Sequence, residues 1–160
     1  MHLSSPEEYG LRCLVQVARA PGPAPLTIHQ IAEAEGLSPE YAAKLMRLLR
    51  QRRFVARTRG AAGGYRLCRP AGEIQVWEIL QALGGPVFSE EFCDTHPGQL
   101  STCVHTGDCS IRPLWRAIEG ALGRLLRTVS LADLCGQEDD SQRVIQRSEE
   151  RLNRQLPVVL

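Results

Sequence analysis

The apolar positions of this chain fall into helical groups separated by proline and glycine. Leu11, Leu14, Val15 and Ala18 recur at helical spacing and predict a first helix from about Ser5 to Arg19, with Pro6 in its first turn. Pro21, Pro23 and Pro25 end it. Thr27, with Gln30 three residues on, forms a capping box for a second helix. Ile31, Ala32 and Ala34 follow, and Gly36 closes it. Ser38 caps a third helix and Pro39 opens it. That helix continues to about Arg53 with Tyr41, Ala42, Leu45, Leu48 and Leu49 as its apolar set. Two helices joined by a turn containing Gly36 make a helix-turn-helix.

The period then changes. FVARTRGAAGGYRLCRP holds β-prone segments, Phe54–Thr58 and Tyr65–Cys68, around a glycine-rich turn, which predicts a two-stranded wing. Ile74–Leu83 predicts a fourth helix ended by Gly84 and Gly85. A longer helix is expected from about Ser110 to Val129. Ile111, Leu114, Trp115, Ile118, Leu122, Leu125, Leu126 and Val129 form a strip along it. This strip could pack onto its own domain. Pairing with a second copy is favoured, because the first 85 residues already compose a winged helix. SLADL at 130–134 allows one further turn, and the charged tail from Gly136 reads as a weak amphipathic helix or as disorder. The fold class is therefore mainly α with a small β wing, a winged helix-turn-helix plus a long dimerisation helix. Its expected parts are a DNA-binding domain at 1–85, a cysteine-bearing loop at 86–110, the dimerisation helix and its turn at 111–135, and the tail at 136–160.

Charge sharpens the reading. The formal net charge is only +1, but residues 1–70 carry eleven Lys/Arg against five Asp/Glu, and residues 71–160 carry eight against thirteen. Residues 44–69 hold Lys44, Arg47, Arg50, Arg52, Arg53, Arg57, Arg59, Arg66 and Arg69 and no acid. A solvated basic face would also read this way; beside a helix-turn-helix, a double-stranded DNA footprint is the sharper reading. A recognition helix offers its first residues to base edges. Here these are Ser38, Pro39, Glu40, Tyr41, Ala43 and Lys44. Glu40 can accept from cytosine N4 and Lys44 can donate to guanine O6/N7. Arg59 at the wing turn suits a narrow minor groove. The remaining arginines read as phosphate contacts or solvated charges. No Ser-His-Asp arrangement, phosphate loop or apolar carboxylate pair suggests an enzyme.

The start of the chain lacks the basic and apolar regions of a signal peptide, and no apolar run approaches a membrane span, so a cytoplasmic protein without membrane contact is expected. Thiols stay reduced there. Three of the six cysteines, Cys93, Cys103 and Cys109, lie in FCDTHPGQLSTCVHTGDCSIRPLW at 92–115, with His96 and His105 between them. Clustered thiols in a reducing compartment point to metal binding or redox sensing. Soft thiolates suit iron–sulfur clusters; zinc or a bare thiol switch would use the same residues. Cys13, Cys68 and Cys135 read as small buried hydrophobes.

Leu3, Tyr9 and Leu11, LSPEYAAKLMRLLRQRRFV at 37–55, RTRGAAGGYRL at 57–67 and the cysteine loop running into Ile111–Trp115 together resemble the IscR/NsrR (Rrf-two) family of bacterial regulators. The resemblance spans roughly residues 1–135. It implies a homodimeric winged-helix transcription factor sensing iron–sulfur status, nitric oxide or redox state through a cluster on Cys93, Cys103 and Cys109. In the IscR-like pattern the fourth ligand is a histidine three residues after the last cysteine; that position here is Arg112. In the NsrR-like pattern it is an acid early in helix 1 of the partner, and the matching residue is Glu8, beside Glu7. That ligand set leans to [4Fe–4S] over [2Fe–2S]. Nine residues separate Cys93 from Cys103, more than the family pattern, and five separate Cys103 from Cys109. Asp94, His96 and His105 are therefore alternatives to Glu8.

Overall fold

The structure is a computed structural model and describes residues 3–22, 24–58, 60, 63–89 and 91–155. Pro23, Arg59 and the last five residues of the tail lie outside the described residues. Helix α1 spans Ser5–Arg19. Its start is a reciprocal box in which the Ser4 amide donates to Glu7 Oε2 at 2.8 Å and the Glu7 amide to Ser4 Oγ. Helices α2, Ile28–Glu35, and α3, Pro39–Gln51, complete the helix-turn-helix. The Thr27–Gln30 box forms, and Gly36 takes the left-handed conformation that lets the chain turn (φ 65°).

The wing is strand β1, Val55–Thr58, paired antiparallel with β2, Gly64–Leu67, Val55 facing Leu67 and Thr58 facing Gly64. Leu26 bridges to Tyr65 from the other side, so the wing is held against the segment leading into α2. Gly64 is required there, because a Cβ would lie 2.5 Å from the Leu26 carbonyl oxygen. A short 3-10 turn at Ala71–Glu73 leads into α4, Val76–Gly84.

The fully buried side chains include Cys13, Leu14, Ile31, Met46, Leu49, Val55, Ile74, Ile79 and Leu131. Two details differ from the sequence reading. The buried face of α1 is Gly10, Cys13, Leu14 and Val17, whereas Leu11, Val15 and Ala18 are half-buried. Close approach of α4 turns the helix: a Cβ on Gly10 would meet Leu83 Cδ2 at 2.7 Å. Leu131, expected in a turn beyond the dimerisation helix, is instead part of the winged-helix core. Its amide donates to the Ile74 carbonyl and the Val76 amide to the Val129 carbonyl, at 2.8 and 2.9 Å.

The chain thus leaves the winged helix after α4 and returns at Val129. In between lie a short helix α5, Phe92–Thr95, and the long helix α6, Arg112–Leu126. Helix α6 ends before Val129 because residues 129–131 are taken up in the pairing with 74–76. Its C-terminal half packs on its own chain, with Gly123 against the Trp77 ring. Toward its N-terminal end the apolar side chains stay open: Ile111, Leu114 and Trp115 are 56%, 55% and 37% exposed. After a 3-10 turn at Ala132–Leu134, the tail forms helix α7, Glu138–Gln155. Arg19 donates to the carbonyls of Leu134, Cys135 and Gly136, which ties this turn to the end of α1. Among the described residues, no helix is long and apolar enough to cross a membrane.

Candidate DNA interface and cysteine loop

Helix α3, the expected recognition helix, presents its first turn to solvent. Ser38 is the N-cap and accepts the Tyr41 amide at 3.2 Å; Glu40 and Lys44 are exposed, Pro39 and Tyr41 half-buried. Tyr41 is not free to reorient, because its ring stands edge-on to Tyr9 of α1, 6.0 Å between centroids. One charged network sets α2 against α1. Glu35 has a side chain only 6% exposed; Arg12 Nε donates to its Oε2 at 2.5 Å and Gln16 Nε2 to its Oε1 at 2.6 Å. A buried carboxylate needs such partners. Arg12 also sits 3.9 Å from Glu8 and 5.4 Å from the Tyr9 ring centroid. Helix α1 therefore links Glu8 to both helices of the helix-turn-helix. No local sequence signal marked Glu35, since its partners are 19 and 23 residues away.

The cysteine loop is fastened to α6 at both ends. At its start, the Glu119 carboxylate accepts the Val87 and Phe88 amides at 2.9 and 3.2 Å and Gln81 Nε2 at 3.2 Å. At its end, Arg112 donates to the His105 and Thr106 carbonyls at 3.1 and 3.0 Å. Arg112, where an IscR-like chain has its histidine, thus organises the loop rather than offering a ligand. Cys103 O accepts from the Thr106 amide and hydroxyl, and Cys109 O accepts the Arg112 amide at 3.3 Å. Cys93 lies on α5, a helix the sequence reading did not anticipate because four residues show no periodicity.

Cys93, Cys103 and Cys109 are free and half-exposed. Asp94, His96, His105 and Glu8 are exposed. The His96 ring stacks on Phe92, and its Nδ1 lies 2.9 Å from both the Phe92 carbonyl oxygen and Thr95 Oγ1. The donor chemistry suits a thiolate-loving metal group, and one loop supplies all three thiols. The described residues of one chain do not gather them: no three His, Cys, Asp or Glu side chains converge. Glu8 is also remote from its own Cys109. It lines an apolar cavity of about 310 Å³ with Leu125, Leu126 and Val129, at the far end of α6. That helix is about 22 Å long at 1.5 Å per residue.

The other cysteines differ. Cys13 is buried, and burial pushes its thiol up to about 12. Cys135 is half-buried and burial likewise raises its pKa. Cys68, expected to be buried, is exposed: its amide still donates to the Phe54 carbonyl at 2.9 Å, and its side chain shares the outward face of the strand with exposed Arg66.

A winged helix whose long helix leaves and re-enters the core, with a cysteine loop before it, is matched by the family described as Rrf2, iron-dependent transcriptional regulator, over residues 3–137. This chain belongs to the Rrf2 family. Its relatives include Protein rrf2 of Nitratidesulfovibrio vulgaris, 34% identical over 84% of this chain and 87% of that protein. Among solved structures, CymR, titled the global cysteine regulator of B. subtilis, matches with a TM-score of 0.68 at 28% identity over 84% of this chain and 96% of the other. The T. potens IscR matches with a TM-score of 0.65 at 27% identity over 84% and 85%. The Rrf2 relatives are regulators of transcription, and this Rrf2 member is a DNA-binding transcriptional regulator with a winged-helix fold, not an enzyme.

Proposed function

We propose that this Rrf2 regulator is a cytoplasmic homodimer that reads redox state, nitric oxide or iron–sulfur status through a cluster on Cys93, Cys103 and Cys109, with Glu8 of the partner subunit as fourth ligand. The observation that carries it is the single loop holding three half-exposed thiols and fastened to α6 at both ends. A bound cluster, [4Fe–4S] ahead of [2Fe–2S], would supply a centre reactive toward oxidants and nitric oxide. The chain's residues do the rest. Arg112 and Glu119 hold the loop against α6. Glu8 sits by the C-terminal end of α6, away from Cys109 at the other end, which leaves the carboxylate available to another subunit. The apolar, exposed first half of α6 supplies a surface for that subunit. Any change at Glu8 reaches the helix-turn-helix through Arg12, which touches both Glu8 and Glu35. Base reading is assigned to Ser38, Pro39, Glu40, Tyr41 and Lys44, with Arg59 in the minor groove.

The test is anaerobic purification, with visible absorption, iron and sulfide measured for the parent and for Cys103→Ala. The parent should be brown and the variant depleted; a full complement in Cys103→Ala would sink the ligand assignment. The second reading is a cluster-free switch using the same thiols directly or through zinc. The likeness to CymR and the separation of the three free thiols favour it. A colourless parent with bound zinc or reversible thiol oxidation would establish that reading.

A further inference from the structure

The cysteine loop holds a core-type side chain out in water. Val104 is 72% exposed, more than any other large apolar residue among those described. It does not sit on a loose segment. It occupies the first corner of a tight turn, Cys103 to Thr106, closed by the Thr106 amide on the Cys103 carbonyl at 3.2 Å. Arg112 holds the same turn from α6 through the His105 and Thr106 carbonyls. Turn corners favour proline, aspartate, asparagine or serine, so neither turn chemistry nor packing within the chain accounts for a valine here.

A hole of matching chemistry lies at the other end of α6. The cavity of about 310 Å³ beside Glu8 is walled by Leu11, Leu125, Leu126, Val129, Leu134 and Ile145. Glu7 and Glu8 are its only charged lining residues, and the exposure of Glu8 shows that it reaches the surface. At about 30 Å³ per water it matches the volume of roughly ten waters, with few polar groups to hold them. Ile145 comes from α7, which lies beyond the residues 3–137 that match the Rrf2 family. Within one chain the turn and the cavity are at opposite ends of α6, so neither fills the other.

We propose that Val104 of one subunit seats in this cavity of a second copy of the chain, and that the cavity wall supplied by α7 completes the seat. The proposal rests on the homodimer with cross-subunit Glu8 put forward above, and deepens it by naming the contact that brings loop and carboxylate together. A twofold axis crossing α6 between Ala117 and Ile118 sets Leu114 of each copy against Ala121 of the other, a large apolar residue on a small exposed one. The same axis carries each cysteine loop to the far end of the other α6, where the cavity opens. The contact is therefore made twice and is continuous with the exposed apolar face of α6. Charge agrees with it. The segment 103–112 offers His105 and Arg112 against one acid, Asp108, and Arg112 has no ion-pair partner among the described residues. Glu7 and Glu8 face it from the cavity. Seating Val104 brings the adjacent Cys103 to Glu8 before any metal group is bound, so the ligand set is assembled by packing.

The experiment measures the dimer dissociation constant of the full chain, purified anaerobically, by sedimentation, with iron and sulfide assayed in the same samples. Val104→Asp should raise the constant about tenfold or more, because it drives an unpaired charge into an apolar seat beside two carboxylates. Val104→Ile should stay within about threefold of the parent. Combining Val104→Asp with Ile145→Lys should recover the dimer to within about threefold, because the new pair spans the contact. Val104 is exposed in its own subunit, so far-UV circular dichroism of Val104→Asp should match the parent. A constant unchanged by Val104→Asp overturns the proposal, and so does a failure of Ile145→Lys to recover it, which would place Val104 against some other surface. A parent that is monomeric throughout removes the homodimer and the proposal together, before any variant is compared. If the Val104 set behaves as expected while Glu8→Ala keeps full iron and sulfide, the docking stands and the Glu8 ligand assignment fails.

Discussion

Leu131 carries the strongest stability prediction. It lies five residues beyond α6, yet it is fully buried with Leu14, Ile74 and Ile79 in the winged-helix core. Leu131→Ala removes a buried side chain and leaves a cavity that the surrounding helices fill only in part. Fully buried leucines truncated in this way cost about 3–5 kcal/mol. The two backbone bonds that pair 129–131 with 74–76 keep the segment in place, so relaxation is limited and the cost belongs to that range. Domains of this size have stabilities of about 5–15 kcal/mol, so the loss is a large fraction of the whole. Expressed as temperature, at about 2–4 °C per kcal/mol for a chain of this length, it is a fall of about 6–20 °C. The assay is urea denaturation followed by far-UV circular dichroism at fixed protein concentration, since any dimer adds a concentration term. A fragment of residues 1–85, lacking Val129 and Leu131, should be far less stable than the intact chain. A cost below about 1 kcal/mol for Leu131→Ala, or a cooperative native-like transition in the fragment, would refute the view that the chain's return completes the core.

Glu35→Gln should cost about 1–2 kcal/mol in the same assay; its carboxylate is buried but Arg12 is 44% exposed and recovers part of its hydration. A loss within about 0.3 kcal/mol would mean that water replaces the pair. Glu119→Ala should free the start of the cysteine loop and speed proteolytic cutting between Val87 and Leu100 several-fold, with little change in global stability; unaltered cleavage would show that the loop is held elsewhere. Cys13 stabilises the fold as a neutral thiol. Its folded pKa is raised from 9.0 to about 12, so this contribution is whole below pH 9 and is lost as pH rises toward 12. Cys13→Ala should flatten that alkaline decline in denaturation curves measured across the window, and an equal decline in parent and variant would assign it to other groups.

The two helices of the helix-turn-helix were legible because their signals are local. Thr27, Ser38 and Gly36 satisfy orphan amides and carbonyls within a few residues of themselves, and the glycines of the wing announce a turn. The three loop cysteines were legible as a set because thiols are rare and were close in sequence. Other features depended on residues far apart in the chain. Which face of α1 is buried was decided by Leu83 of α4 arriving over Gly10. The fastening of the cysteine loop depends on Glu119, some thirty residues from the amides it accepts, and the pairing of Arg12 with Glu35 crosses 23 positions. Leu131 reads alone as one more apolar residue in a turn; only the pairing of 129–131 with 74–76 brings it into the core. Capping and turn preference act over one helical turn and are written in neighbouring residues. Burial and ion pairing depend on which surfaces meet, and that is settled only when the whole chain has closed on itself.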